Sequence, residues 1–177
     1  AGFLAGLLGV GGGIVIVPML YIALGLLQVD ESVRMHTAVA TSLATLIPTA
    51  WNSMRSHRAK GAVDDAFLKA WGPWILVGAA VGILVGGGAR PAVLTGVFGI
   101  VALVVAVHMA VVGGDTRIAD RIPTGPGRIP MAFGIGGFSA IMGIGGGTLA
   151  VPLLTLFNYP IRRAIGTSSA VGLIVGI

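Results

Sequence analysis

Apolar residues in this chain fall in long blocks divided by short polar connectors, and these blocks set the expected architecture. Ala1 to Val29 carries no charge, nor do Thr37 to Met54, Ala70 to Ala89, Pro91 to Gly114 and Ile129 to Ile161. Runs of ~18 or more apolar residues read as membrane-spanning helices, and the period-2 alternation of a transmembrane barrel is missing. The blocks predict a first segment from Ala1 to about Leu27 and a second from Arg34 to Arg55, kinked at Pro48. A third follows from Ala66 to Gly88, a fourth from Pro91 to Val112 and a fifth from Ile129 to Phe157. Trp71 and Trp74 open the third, where interfacial aromatics belong.

The first and fifth blocks are too long for one crossing. A straight helix over the first would span ~40 Å, against a hydrocarbon core of about 30 Å. In both, the surplus coincides with a glycine cluster: GVGGGIVIVP from Gly9 to Pro18, and GIGGGTLAVP from Gly143 to Pro152. Each glycine costs a helix roughly 1 kcal/mol relative to alanine, so a duplicated triplet in apolar sequence implies a role for the backbone. Each block therefore reads as a broken helix or a re-entrant hairpin, with the breaks at Gly11, Gly12 and Gly13 and at Gly145, Gly146 and Gly147. Pro18 and Pro152 lie near the start of the second half-helix.

The duplication extends downstream. The glycine motifs are offset by 134 residues, and HTAVATSL (His36 to Leu43) matches RRAIGTSS (Arg162 to Ser169) at an offset of 126. The unit is a glycine-broken segment, a short loop, and a helix opening with Ala-x-(Ala/Gly)-Thr-Ser. The fold class is all-α, a polytopic helical membrane protein with two homologous repeats. Residues 1–112 form the first repeat, 113–128 a polar linker, and 129–177 the start of a second, truncated one, with further helices expected after Ile177.

Composition agrees: 55% of the residues are hydrophobic, 10% are charged, and the mean hydropathy is +0.99. Soluble domains carry about a quarter charged residues. With no cysteine there is no disulfide framework and no thiol nucleophile. Paired intramembrane carboxylates, an HExxH helix and a catalytic triad are also missing, so the chain reads as no enzyme, with no cofactor and no metal. The net charge of +5 sits beside apolar blocks, as loop positives that orient a membrane protein do, and argues against nucleic acid. If every segment crosses once, Arg55, Arg58, Lys60 and Lys69 share a side with Arg117, Arg121 and Arg128, which makes that side cytoplasmic. Arg34, Arg90, Arg162 and Arg163 then fall opposite. Four crossings per unit make the repeats parallel, and a re-entrant glycine segment makes three and inverts them.

A helix break inside a membrane frees backbone groups that must be satisfied by protein, water or ligand. The following half-helix presents N–H donors and partial positive charge, an anion site. Two breaks meeting at midplane would hold an anion between them. Thr41 with Ser42, and Thr167 with Ser168, could donate to it, or bond back to their own helices. Arg34, His36, Arg162 and Arg163 could draw anions to the pathway or simply anchor helix ends. His108, alone in the fourth segment, reads as a snorkelling residue before a proton relay. Gly78, Gly82 and Gly86, spaced by four, read as helix-packing positions. No Gly-Lys-Ser/Thr follows either glycine run, which argues against a nucleotide P-loop.

LLGVGGGIVIVPML and IMGIGGGTLAVPLL, each followed by an Ala-x-(Ala/Gly)-Thr-Ser helix, resemble the TauE/SafE sulfite exporter family of membrane anion transporters. HRAKGAVD, from His57 to Asp64, is similar to that family's loop after its second helix. The resemblance implies a multi-pass carrier of the cytoplasmic membrane with two related halves, moving sulfite, a sulfonate or another small organic anion. It points to Gly11–Gly13 with Thr41 and Ser42 in one half, and to Gly145–Gly147 with Thr167 and Ser168 in the other. The partners implied are the anion and the lipid bilayer, with coupling to protons and assembly into a homo-oligomer left open. A channel with a static glycine-lined filter and a non-transporting scaffold are the competing readings.

Overall fold

A computed structural model describes residues 13–111, 122–123 and 125–177. Gly11, Gly12 and most of the polar linker lie outside the described residues, as does the side chain of His108. Seven helices and no strand are present among the described residues. They are α1 (Gly13–Leu26), α2 (Glu31–Ala59), α3 (Asp65–Gly88), α4 (Pro91–Val111), α5 (Arg128–Met142), α6 (Gly147–Leu156) and α7 (Ile161–Gly176).

The starts of α2 and α3 follow from side-chain caps. Asp30 accepts from Ser32 N–H at 2.8 Å, and Asp64 from Phe67 N–H at 2.9 Å. Both α1 and α6 end in Schellman turns around a left-handed residue that is not glycine, Gln28 (φ 58°) and Asn158 (φ 57°). Val29 N–H then reaches Leu24 O, and Tyr159 N–H reaches Leu154 O. The two glycine-motif helices are therefore closed by the same local geometry. α2 passes unbroken through Pro48.

Close approaches of glycine fix the helix directions. A Cβ added to Gly78 would lie 2.2 Å from Phe133 O, one on Gly82 2.5 Å from Gly137 O, and one on Gly136 2.0 Å from Ile75 O. With Gly86 against Ile141, residue numbers rise together on the two sides, so α3 and α5 are parallel. The small residues let the backbones touch, as the spacing of Gly78, Gly82 and Gly86 predicts. Between α2 and α7 the order is reversed: Gly176 meets Ile47, Gly172 meets Ala50, and Gly166 meets Ala62 just beyond α2. These helices, which carry the two Ala-x-(Ala/Gly)-Thr-Ser runs, are antiparallel.

The path of the glycine-rich segment follows from those directions. α5 runs alongside α3, away from the α2–α3 connector. The turn between α6 and α7 lies back at the connector, because Tyr159 Oη donates to Asp64 Oδ2 at 2.6 Å. Residues 128–156 therefore go out and return to the same end. This corrects the sidedness drawn from single crossings, since Arg162 and Arg163 lie at the end that carries Arg55, Arg58, Lys60 and Lys69, not opposite it. Arg34 and Arg90 remain at the other end, beside the α1–α2 and α3–α4 loops.

Trp71 also departs from expectation. It is 3% exposed, stacked on Phe67 with ring centroids 4.8 Å apart, and belongs to a core with Ile75, Leu154 and Val175. Trp74, one turn on, is 37% exposed. The outer surface is apolar: Leu84 is 78% exposed, Ile100 66% and Leu103 65%. By length and composition α3 is able to cross a membrane, while α1, α5 and α6 are shorter apolar helices.

Candidate functional site

The glycine turn between α5 and α6 lies at the centre of the bundle. Gly143 adopts φ 65°, closing a Schellman turn in which its N–H reaches Ala140 O and Ile144 N–H reaches Ser139 O. Thr148 N–H turns back to Gly145 O, and Ala150 N–H to Gly146 O. The N–H groups of Gly145, Gly146 and Gly147 take no part in these turn bonds. Gly143 packs on Val39, Gly145 on Leu46 and Gly146 on Val171. Ser42, which bonds to the turn, lies about 16 Å along α2 from its start.

Gly13, the last glycine of the first motif, packs directly on the second. A Cβ there would fall 2.4 Å from Ile144 Cα and 2.6 Å from Gly143 O. From this contact α1 runs toward the end that holds Asp30, and α6 toward the end that holds Asp64. The described starts of the two motif helices thus converge while their axes lead to opposite ends.

The hydroxyl pairs occupy unlike environments. Ser42 is fully buried and donates to Gly143 O at 2.6 Å, which satisfies a carbonyl exposed by the left-handed turn. Thr41, its neighbour, points to an exposed face. Thr167 lies one helical turn nearer the start of its helix than Thr41 does, and so reaches the connector end. There its Oγ1 accepts from Asp64 N–H at 3.0 Å. Ser168 donates to Ile165 O at 2.9 Å within its own helix. The structure brings Gly13, Ser42 and Gly143–Gly147 together, and places Thr167 and Ser168 toward the connector.

Asp64, Tyr159 and Thr167 form a polar joint at the connector end, beneath which Gly166 admits the Ala62 carbonyl: a Cβ on it would lie 2.3 Å away. Burial works against the Asp64 carboxylate. Hydrogen bonds from Tyr159 and from the Phe67 and Ala66 N–H groups, with nearby Arg163, outweigh it and hold the carboxyl below its usual range. For Tyr159, burial and then the hydrogen bond to Asp64 push the phenol up to about 12. Arg163 therefore faces a carboxylate. Arg34 donates to Val29 O at 2.8 Å and lies 5.5 Å from the Tyr21 ring centre, so it anchors the α1–α2 loop. Arg162 is exposed. His36 is half-buried, and its Nε2 is inaccessible with no hydrogen-bond partner among the described residues.

Ser139 escapes sequence reasoning. It is fully buried one turn before Gly143, and its Oγ has no partner among the described residues. A buried hydroxyl left unpaired costs roughly 1–3 kcal/mol, so an orphan beside the glycine turn calls for an explanation. The one available signal, a lone serine in an apolar block, resembles any packing serine. Among the described residues no cluster of His, Cys, Asp or Glu could hold a metal ion.

The sulfite exporter TauE/SafE family model matches residues 1–177. A probable membrane transporter protein of Haemophilus influenzae is 34% identical, covering 100% of this chain and 67% of the relative. Probable membrane transporter proteins of Bacillus subtilis and Methanocaldococcus jannaschii are 29% and 28% identical over 95% and 96% of the chain. The chain spans 68% and 63% of those two, about two thirds of its relatives' length. No solved structure matches. The chain belongs to the sulfite exporter TauE/SafE family of membrane transporters, and not to an enzyme family.

Proposed function

We propose that this chain is part of a multi-pass carrier that moves a small sulfur-containing oxyanion or organic anion across the cytoplasmic membrane. The anion binds between the two glycine motifs. The observation that carries this reading is the packing of Gly13 on Gly143 and Ile144, where the described starts of two motif helices converge and their axes lead to opposite ends. Backbone N–H groups of Gly145–Gly147 serve as donors. Ser42 holds the turn in shape through Gly143 O. Ser139 Oγ offers a further donor.

Antiparallel α2 and α7 support two repeats of inverted topology, the arrangement in which a midplane site is exposed alternately to each side. Arg55, Arg58, Lys60, Lys69, Arg162 and Arg163 mark the connector end as cytoplasmic. Saturable sulfite or sulfonate flux in proteoliposomes, accelerated by anion on the opposite side, is the expected result. Unsaturable conductance in single-channel steps would make it a channel instead. Gly146→Leu places a side chain on Val171 and is expected to abolish flux, whereas failure of every anion to stabilise the purified wild-type protein would refute the site.

A further inference from the structure

A cavity of about 200 Å³ lies between α2, α3, α4 and α5, beside the glycine turn. Its wall includes Val39, Leu43, Gly86, Leu94 and Ile141, and is apolar apart from His36. Among the described residues lining it, no other side chain titrates: α3, α4 and α5 contribute only glycine, alanine, leucine and isoleucine. His36 Nε2 is buried and, among the described residues, unpartnered, an arrangement that costs energy unless something bonds it. The cavity also borders the glycine turn. Val39 lines the one and packs on Gly143 of the other, and Ala140 lines the cavity while accepting the Gly143 N–H.

We infer that this cavity is the subsite for the apolar body of an organic anion, and that the His36 side chain turns to bring Nε2–H to its acidic head. The inference rests on the glycine-turn reading and narrows it, because an inorganic oxyanion leaves the apolar wall empty. An engineered apolar cavity of roughly 150 Å³ takes the six carbons of a benzene molecule, so this one accepts a chain of about six carbons. Each methylene buried adds roughly three- to fourfold in affinity. The polar end then turns toward the glycine N–H groups, and the imidazole supplies the one hydrogen bond the wall offers.

The test is binding of sulfite and of the methane-, ethane-, propane-, butane- and hexanesulfonates to the purified full chain. Affinity is expected to rise along the series through the hexyl compound. Gly87 lines the cavity and has open space where a Cβ would stand, so Gly87→Leu fills it without a clash. That variant is expected to flatten the chain-length series while sulfite binding stays within about twofold, and Ala40→Leu on the opposite wall serves as the second filling variant. His36→Leu is expected to weaken sulfonates roughly ten- to hundredfold, and His36→Gln, which keeps a donor, to restore most of that. A flat series with sulfite bound, or a steep series untouched by both filling variants, overturns the cavity and leaves the glycine turn standing. No binding by any anion, sulfite included, overturns the glycine-turn reading itself.

Discussion

Replacing Tyr159 by phenylalanine deletes one oxygen from the joint that ties the α2–α3 connector to the start of α7. The hydroxyl donates to Asp64 Oδ2 at 2.6 Å, while Asp64 N–H donates to Thr167 Oγ1 at 3.0 Å. A hydrogen bond to an ionised group is worth roughly 1.5–3 kcal/mol. Both partners here are only partly buried, and water replaces some of what is lost, so about 1 kcal/mol is expected. The assay is reversible unfolding in micelles of wild type, Tyr159→Phe, Asp64→Asn and the double variant, which gives the coupling directly. The pH dependence has a definite sign. The phenol's folded pKa of about 12 lies above its ordinary 10.0, so its contribution is full below pH 10 and disappears as pH rises through 12. Asp64 is shifted the other way, so its contribution is present above the ordinary carboxylate pKa of 3.8 and is lost as pH falls through the lowered folded value. Tyr159→Phe is therefore expected to erase the alkaline decline and leave the acid one in reduced form. Additive single variants, or an unchanged alkaline limb, would refute the joint.

Other contacts give equally direct expectations. Gly82→Ala forces a Cβ to 2.5 Å from Gly137 O and is expected to cost 3 kcal/mol or more, or to prevent folding, on the scale of severe overpacking. Gly87→Ala, with open space at its Cβ, is expected to be neutral or slightly stabilising in the same unfolding assay. Ser42→Ala leaves a buried Gly143 carbonyl without its side-chain donor and is expected to cost about 1–2 kcal/mol, together with a loss of anion-induced stabilisation. Gly143→Ala combines φ 65° with contact at 3.0 Å to Val39, and flux in proteoliposomes is expected to fall more than for Ser42→Ala. Trp71→Ala empties a core position stacked on Phe67 and is expected to cost about 3–5 kcal/mol, which an interfacial anchor would not.

Helix extents were readable because apolar blocks and charged connectors are one-dimensional signals. The third block predicts Ala66–Gly88 and the helix runs Asp65–Gly88, capped by the aspartate before it. Gly78 and Gly82 were legible as packing positions because their four-residue spacing leaves one face of a helix bare. Their partners were not, since nothing local in α3 distinguishes α5 from another neighbour. Topology escapes the blocks: a crossing helix and one limb of a hairpin have the same composition, so the sequence leaves open whether Arg162 and Arg163 lie opposite the connector or beside it. The Thr-Ser runs match in sequence yet differ in depth by about one turn, and depth decides whether a hydroxyl meets the glycine turn or the connector. The orphan atoms of His36 and Ser139 are defined by partners they lack, and only assembled helices reveal such an absence.

The glycine seam between α3 and the outgoing limb α5 constrains any working motion. Where carbonyl oxygens stand against bare Cα atoms at Gly78, Gly82 and Gly136, no side chain can change rotamer to absorb a slide. The seam acts as a rivet, so α3 and α5 must travel as one body. Flexing then falls to joints made of side chains and single hydrogen bonds: Ser42 on the glycine turn, Arg34 on the α1–α2 loop and Tyr159 on the connector. A pair of cysteine-reactive spin labels placed across the seam would keep a fixed separation through the transport cycle, while a pair across α2 and α7 would not.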